Sequence, residues 1–214
     1  MKTMIKAVIF DYDGVVKKSQ KLSLDIADLY KISAEEYEKF IPQLKPIIEK
    51  FDKGLIGQEK FWREFSDAMG KAMPEKCGEK AKKMYKDKFV FFSEVIGLIE
   101  KLKSEGFRLS ILSNMFPYQA EVIKEINGYF LFDNLFFSCE RGLKKPDSEF
   151  YELVIKEMNV DPQECLFIDD KEENLLPAEK LGMKTVLAKN PDQIVKDVWA
   201  SIKLENIIRD SKIL

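Results

Sequence analysis

Two carboxylates and a glycine follow an apolar stretch near the start of the chain. Residues 5–10 read Ile-Lys-Ala-Val-Ile-Phe, and Asp11, Asp13 and Gly14 lie within the next four positions. This stretch predicts a strand buried on both faces, as in a parallel sheet, and the glycine allows a sharp turn after it. Two carboxylates this close repel each other unless a cation or a shared proton relieves them. A solvated turn is the alternative, because Asp and Gly are common turn residues.

Polar side chains also follow later apolar segments. Ser113 and Asn114 follow residues 107–112, Asp169 and Asp170 follow residues 165–168, and a loop with Lys144 and Lys145 follows residues 135–138. Because the carboxyl ends of parallel strands meet at one edge of a sheet, we expect these groups to converge on one crevice. Each feature alone is ordinary, but their shared position indicates a functional site.

The residue types at this edge favour phosphate chemistry with a hard cation. The chain has no histidine, which excludes Ser-His-Asp and Cys-His triads and histidine zinc sites. Carboxylate oxygens suit Mg²⁺, while lysine and serine can neutralise a phosphate group and donate hydrogen bonds to it. One aspartate could attack phosphorus and form an aspartyl-phosphate. A second could protonate the leaving alcohol and then activate water.

Strands and helices alternate in the part of the chain that must position these groups. Besides residues 5–10, strands are predicted at residues 107–112, 135–138, 165–168 and 183–187, with amphipathic helices between them. Strands separated by helices predict a parallel, doubly wound α/β sheet. The α/β core domain is predicted to consist of residues 1–16 and 89–214.

Residues 17–88 show only helical patterns, so a separate α-helical domain is predicted to be inserted in the core. Ser33 and Glu36 have the spacing of a capping box at the start of a helix. Pro42 and Pro46 are expected to break or start helices, because proline lacks the backbone N–H that a helix interior needs.

An aromatic stripe marks one of the inserted helices. Its members are Phe61, Trp62 and Phe65. A stripe at helical spacing is favoured as packing between helices over a ligand-binding role. Lys53, Gln58 and Trp62 could reach a substrate, although solvated or packing roles are favoured for them.

The bulk composition is typical of a globular protein with a small-molecule partner. The chain has 214 residues, of which 45% are hydrophobic and 34% charged, and a net charge of −2. This balance favours neither a nucleic-acid nor a membrane partner, and no stretch approaches the roughly 18 consecutive apolar residues of a membrane span. The N-terminus runs directly into the first strand, with no room for a signal peptide. A cytoplasmic protein is expected, with a monomer as the default state and a dimer as the alternative.

Four segments resemble, in order, the four motifs of the haloacid dehalogenase superfamily. They are Asp11-Tyr12-Asp13-Gly14-Val15-Val16, Ser113 in Ile111-Leu112-Ser113-Asn114, Lys145 before Pro146-Asp147, and Phe167-Ile168-Asp169-Asp170 with Asn174. Each segment alone is weakly to moderately specific, whereas all four in order are strongly specific. The resemblance implies a Rossmann-like core. It also implies that residues 17–88 form the family's small α-helical (C1-type) cap, which closes over the site and selects substrates.

The resemblance further implies catalytic roles for the matching residues. Asp11 would be the nucleophile and Asp13 the general acid and base. Ser113 would hold the transferring phosphoryl group, and Lys145 would bind it and balance its charge. Asn114 could bond the substrate or fix the loop, and both interpretations stay open.

A Mg²⁺ site is implied by the same resemblance. The ion would be held by the carboxylate of Asp11, the backbone carbonyl of Asp13 and the carboxylate of Asp170. Asp169 would support these ligands, and Asp170 is favoured over it for direct ligation. At that place Asp170 also suits a helix N-cap, which is the alternative.

The second aspartate of the first motif distinguishes two branches of the family. The dehalogenase branch typically lacks it, so Asp13 favours phosphoryl transfer. The predicted function is a Mg²⁺-dependent phosphatase that hydrolyses a small phosphorylated metabolite through an aspartyl-phosphate, with a sugar phosphate as one candidate. A phosphomutase of the β-phosphoglucomutase type is the alternative. A non-catalytic phosphate-binding module is disfavoured because the motif residues are intact.

Overall fold

A five-stranded parallel sheet forms the centre of the protein. The computed structural model describes residues 4–20 and 22–210, with side chains for residues 4–20 and 25–202. The strands are β1 (Ala7–Phe10), β2 (Arg108–Ser113), β3 (Asn134–Phe137), β4 (Cys165–Asp169) and β5 (Lys184–Leu187). Their order across the sheet is β3-β2-β1-β4-β5, and each neighbouring pair is parallel. The predicted doubly wound α/β fold is therefore confirmed.

Helices connect the strands and supply the inserted block. They are α1 (Leu22–Tyr30), α2 (Ala34–Asp52), α3 (Gln58–Met69), α4 (Cys77–Asp87), α5 (Ser93–Ser104), α6 (Pro117–Glu125), α7 (Ser138–Arg141), α8 (Ser148–Met158), α9 (Glu172–Lys180) and α10 (Pro191–Asp210). The short α7 follows β3 directly and is not among the predicted elements. Within residues 4–20 and 22–210, no helix combines the length and the apolar character needed to cross a membrane.

The first strand is buried on both faces because it lies at the centre of the sheet. Val8 and Phe10 pack into one hydrophobic cluster, and Ala7 and Ile9 pack into the other. Side chains alternate between the faces of a strand, so an unbroken apolar strand needs helices on both sides. This is the physical origin of the apolar stretch before Asp11.

The register of the sheet brings the ends of β1, β2 and β4 together. Phe10 lies level with Ile111 of β2 and Ile168 of β4. The backbone N–H of Asp11 donates to the carbonyl of Ile168 at 2.8 Å. Polar residues that end or follow these three strands are therefore neighbours at one sheet edge, as predicted.

Helices α1–α4 pack around an aromatic cluster. Phe51, Phe61 and Phe65 are fully buried, and the rings of Phe51 and Phe61 stack with centroids 4.0 Å apart. Phe116 directly precedes α6, and its ring centroid lies 5.0 Å from that of Phe51. The aromatic stripe thus packs between helices, and it also joins the inserted block to the rest of the protein.

Two chain segments run side by side where the inserted helices join the sheet. Lys18 donates its backbone N–H to Val90 at 2.9 Å, and Phe92 donates to Val16 at 3.0 Å. The predicted boundary at residues 16/17 falls within this pairing, and the one at 88/89 lies just before it. Both boundaries stay predictions. Residues 1–3 and 211–214 of the predicted core domain lie outside the described residues.

Helix α2 runs through both prolines, so the predicted break at Pro42 and Pro46 is wrong. The two prolines are four residues apart and exposed, so they share one face of the helix. Each leaves the carbonyl four residues earlier without its helical partner. Because this face meets solvent, water can take the place of the missing donors. The predicted cap is present, with Ser33 accepting a hydrogen bond from the N–H of Glu36 at 3.0 Å.

Candidate active site

Asp11 lies just after β1, where three donors converge on its Oδ1 atom. The backbone N–H of Tyr12 donates at 2.7 Å and the hydroxyl of Ser113 at 2.7 Å. The ammonium of Lys145 lies 2.9 Å from the same oxygen. Asp11 is only 6% exposed, and donors and opposite charge of this kind offset the free-energy cost of burying a carboxylate. Since all three donors hold one oxygen, the carboxylate has a defined orientation.

Lys145 is a buried cation between two carboxylates. Its ammonium lies 2.9 Å from Asp11 and 2.6 Å from Oδ2 of Asp169, and its side chain is 1% exposed. Burial acts to lower the pKa of Lys145, but the charges of Asp11 and Asp169 outweigh it and raise the pKa. Lys144 instead pairs with Asp52 of α2 at 2.8 Å and keeps partial exposure. The structure thus favours Lys145 over its neighbour as the lysine of the site.

Asp169 binds the ammonium of Lys145, and Asn114 binds its backbone. Asn174 donates its amide to both carboxylate oxygens of Asp169, at 2.9 and 3.1 Å, and the backbone N–H of Lys171 donates at 2.9 Å. The side chain of Asn114 bonds the backbone of Lys145 in both directions, each at 2.8 Å. These two bonds fix the loop, which is one of the two roles left open for Asn114. Its contact with phosphate stays a prediction.

Asp11, Asp169 and Asp170 form a group that could hold a metal ion. One carboxylate oxygen from each lies within 4.8 Å of the others. Oδ1 of Asp170 is buried and has no hydrogen-bond partner among the described residues. Burial, followed by the charges of Asp11 and Asp169, raises the pKa of Asp170 to about 6. Crowded carboxylates and an unpartnered buried oxygen are relieved by a cation, and oxygen donors suit Mg²⁺.

Gly14 allows the close approach of Asp170 to the first motif. Its φ is +85°, and a Cβ atom at this position would lie 2.6 Å from Oδ2 of Asp170. A larger residue would therefore displace the carboxylate as well as strain the backbone. Both carboxylate oxygens of Asp169 accept hydrogen bonds from Lys145 or Asn174. Oδ1 of Asp170 has no such partner among the described residues, so it is free to bind a cation. This contrast favours Asp170 for direct ligation with Asp169 in support.

Asp13 lies two residues beyond Asp11 and pairs with Lys17. The Asp13 side chain is 32% exposed, whereas Lys17 is fully buried. Burial raises the pKa of Asp13, and the neighbouring ammonium of Lys17 opposes this shift without cancelling it. Sequence reasoning missed Lys17. The Asp-Lys spacing of four was visible, but it is also the spacing of many solvated pairs.

A cavity of about 520 Å³ opens at this edge of the sheet. Of the predicted site residues, those lining it are Asp11, Asp13, Asn114, Lys145 and Asp170. Ser113 and Asp169 lie behind its wall, where they contact Asp11 and Lys145. The structure therefore brings all the predicted site residues together. Binding of a phosphoryl group by Ser113 stays a prediction.

One face of α2 forms the opposite wall of the cavity. The residues that it contributes are Lys45, Ile48, Glu49 and Asp52. Sequence reasoning missed them, although they share the spacing of one helical face, because a face with three charged residues looks like a solvent-exposed one. Lys53, Gln58 and Trp62, the earlier candidates, are not among the described residues that line the cavity.

Curated relatives of this chain include two phosphatases. Sesquiterpene phosphatase astK of Aspergillus oryzae is 27% identical over 190 residues, which cover 86% of this chain and 89% of that protein. D-ribitol-5-phosphate phosphatase of Bacteroides thetaiotaomicron is 26% identical over 207 residues, which cover 87% of this chain and 93% of that protein.

A solved structure with the same fold comes from Bacteroides thetaiotaomicron. It is a haloacid dehalogenase family enzyme in complex with magnesium and inorganic phosphate. The TM-score is 0.69 at 24% identity, with 86% of this chain and 94% of that chain covered. At this identity the similarity shows a shared fold.

The family itself is shown by a family model. The model describes haloacid dehalogenase-like hydrolases and matches residues 5–182. The matched region contains all four predicted motifs, so the predicted family and its hydrolase class are confirmed. The chain therefore belongs to the haloacid dehalogenase-like hydrolases.

Proposed function

We propose that this protein is a Mg²⁺-dependent phosphatase that hydrolyses a small phosphorylated metabolite through an aspartyl-phosphate on Asp11. The arrangement around Asp11 is the observation that carries the proposal. Its carboxylate is oriented by Ser113 and Lys145 at the wall of a cavity that Asp13 also lines. A nucleophilic carboxylate, a positive charge and a second carboxyl group that can donate a proton thus lie at one place. Phosphoryl transfer to a carboxylate needs these three groups together.

The reaction has two steps, in which Asp11 is the nucleophile and Asp13 first donates and then accepts a proton. In the first, a carboxylate oxygen of Asp11 bonds to phosphorus while the bond from phosphorus to the ester oxygen breaks. Asp13 gives its proton to that oxygen, so the alcohol leaves neutral. In the second, Asp13 takes a proton from a water molecule, whose oxygen attacks phosphorus and releases the Asp11 carboxylate. The products are an alcohol and inorganic phosphate, and both aspartates return to their starting states.

The surrounding residues stabilise charge during these steps. Lys145 faces the negative charge that develops beside Asp11, and Ser113 donates a hydrogen bond at the same place. Mg²⁺ would be held by Asp11, the backbone carbonyl of Asp13 and Asp170, with Asp169 in support. When bound, the ion supplies positive charge that neutralises the phosphoryl oxygens.

The cavity supports a small polar substrate. Among the described residues, its apolar side chains are few, namely Ile48, Phe116 and Pro146, and the other lining side chains are polar or charged. Such a lining favours hydroxylated phosphate esters, such as sugar or polyol phosphates, over a long hydrocarbon chain, which would need an apolar wall. Residues 17–88 would act as the cap that selects the substrate, with the face of α2 that lines the cavity as its contact surface.

A screen of phosphorylated metabolites, with and without Mg²⁺, tests the proposed function. We expect phosphate release from at least one sugar or polyol phosphate. Turnover should fall at least about 100-fold after chelation with EDTA and return when Mg²⁺ is added, because the ion neutralises the phosphoryl oxygens. Release that EDTA leaves unchanged, or no release from any ester, would contradict the proposal. Isomer formation without phosphate release would indicate the mutase alternative.

Substituting Ser113 by alanine is expected to lower kcat/KM about 10- to 100-fold. The change removes a hydrogen bond to a charged group, which typically contributes about 1.5–3 kcal/mol. Steady-state kinetics with the best substrate of the screen measure the loss. Ser110→Ala is the matched control, because Ser110 is equally buried on the same strand but bonds Met158 away from the site. Equal losses in the two variants would show an effect on the strand rather than on the site.

A further inference from the structure

Lys17 is a buried lysine that the proposed mechanism does not use. Its ammonium pairs with Oδ1 of Asp13 and donates to the carbonyl of Lys18 at 2.9 Å. It also lies 5.0 Å from the ring centre of Tyr85 and 5.6 Å from that of Phe89. A buried ammonium is unfavourable unless charge and hydrogen bonds compensate, and aromatic faces add a cation–π attraction. The surroundings of Lys17 supply all of these.

The backbone holds Lys17 against the turn that carries Asp13. Lys17 donates its N–H to the carbonyl of Tyr12 at 3.1 Å, and its own carbonyl accepts from the N–H of Gly14 at 2.8 Å. Both backbone groups of Lys17 are thus bonded to residues that flank Asp13. These bonds fix the base of the Lys17 side chain beside Asp13, and the contacts of the buried ammonium hold its end.

We propose that Lys17 is a positioning residue that holds one oxygen of Asp13, so that the other carboxylate oxygen is directed to the leaving group. This inference rests on the proposed function, in which Asp13 gives and takes the proton. Lys17 is fully buried, and among the described residues it does not line the cavity. It therefore acts on the reaction through Asp13 and not through contact with the substrate.

The leaving group of the substrate separates this role from a merely structural one. An aryl ester such as p-nitrophenyl phosphate releases a stable anion and needs little help from an acid. An alkyl ester such as glycerol 2-phosphate releases a poor leaving group and depends on the proton from Asp13. The value of kcat/KM covers the steps up to departure of the leaving group. A misplaced Asp13 should therefore lower kcat/KM for alkyl esters far more than for aryl esters.

The experiment compares Lys17→Met and Lys17→Gln with the wild-type protein on p-nitrophenyl phosphate, phenyl phosphate and glycerol 2-phosphate in Mg²⁺. We expect kcat/KM for glycerol 2-phosphate to fall about 100-fold, since general acid catalysis typically contributes 10²- to 10⁴-fold. The loss on p-nitrophenyl phosphate should stay below about tenfold, because the proton matters less there. Competitive inhibition by inorganic phosphate should be unchanged, because the groups around Asp11 are intact.

Two controls fix the interpretation. Lys18→Met removes the exposed neighbouring lysine and should leave kcat/KM unchanged for all three esters. In an Asp13→Asn background, Lys17→Met should cause no further loss on glycerol 2-phosphate, because the group that it positions is already gone.

Several results would overturn the role of Lys17. They are equal losses on all three esters, no loss on any, a further loss in the Asp13→Asn background, or failure of both Lys17 variants to fold. If one variant fails to fold, the other carries the comparison. If the wild-type protein does not hydrolyse glycerol 2-phosphate, the best alkyl phosphate of the metabolite screen takes its place. No phosphate release from any ester, including those of the screen, would instead overturn the proposed function.

Discussion

Replacing Asp11 by asparagine is expected to reduce turnover by at least about 10⁴-fold and to leave the protein folded, as losses of this size are typical when a nucleophile is removed. Asparagine keeps the Oδ1 atom that accepts hydrogen bonds from Tyr12 and Ser113. It loses the nucleophilic carboxylate and one charge next to Lys145. The change therefore removes the chemistry while it retains the shape of the site.

The loss in Asp11→Asn is measured by steady-state phosphate release and by acid quenching of the protein after incubation with ³²P-labelled substrate. Labelled protein should form with the wild type and not with the variant. Asp67→Asn, at an exposed position on α3, is the matched control and should behave as the wild type. Retained turnover in Asp11→Asn would show that another group attacks phosphorus.

Replacing Lys145 by methionine is expected to lower turnover about 10³-fold and to lower the free energy of unfolding by about 3–5 kcal/mol. Methionine has a similar length but no charge, so Asp11 and Asp169 would face each other without the cation between them. Asp169 is fully buried and, of its donors in the described part of the chain, would keep Asn174 and Lys171. An uncompensated buried carboxylate is the main reason for the loss of stability.

Urea unfolding in the presence of EDTA measures the stability of Lys145→Met, because a bound cation would offset part of the lost charge. Lys144→Met is the comparison variant. Lys144 pairs with Asp52 while keeping partial exposure, and such pairs typically contribute about 0–1 kcal/mol. A loss of turnover in Lys144→Met as large as in Lys145→Met would contradict the assignment of the charge-balancing role to Lys145.

The positions of the predicted site residues could be inferred from the sequence because each lies at or beyond the end of an apolar strand. Buried strands have a strong compositional signal, and the parallel order places their carboxyl ends at one edge. The sequence therefore predicts that Asp11, Ser113 and Asp170 are neighbours. The absence of histidine further limits the acid–base chemistry to carboxylates, lysine, tyrosine or a metal-bound water.

Contacts that depend on packing could not be predicted in this way. Pro42 and Pro46 were expected to end a helix, but they lie on the exposed face of α2, where solvent can replace the missing donors. Lys17 has a sequence context typical of a solvated lysine, and only the aromatic rings around it show that it is buried. The cavity wall formed by α2 could not be predicted either, because helical periodicity does not indicate which face of a helix lines a cavity.

The sequence by itself determined the α/β class, the family and the set of residues at the sheet edge, since these follow from local composition and from the order of the motifs. Only the tertiary structure decided which contacts these residues make. It places Lys145 between Asp11 and Asp169, leaves one oxygen of Asp170 without a partner among the described residues and pairs Asp13 with a buried Lys17. Most of these contacts join residues far apart in the chain over distances of a few ångströms. Those distances follow from the packing of helices on the sheet and not from any local pattern.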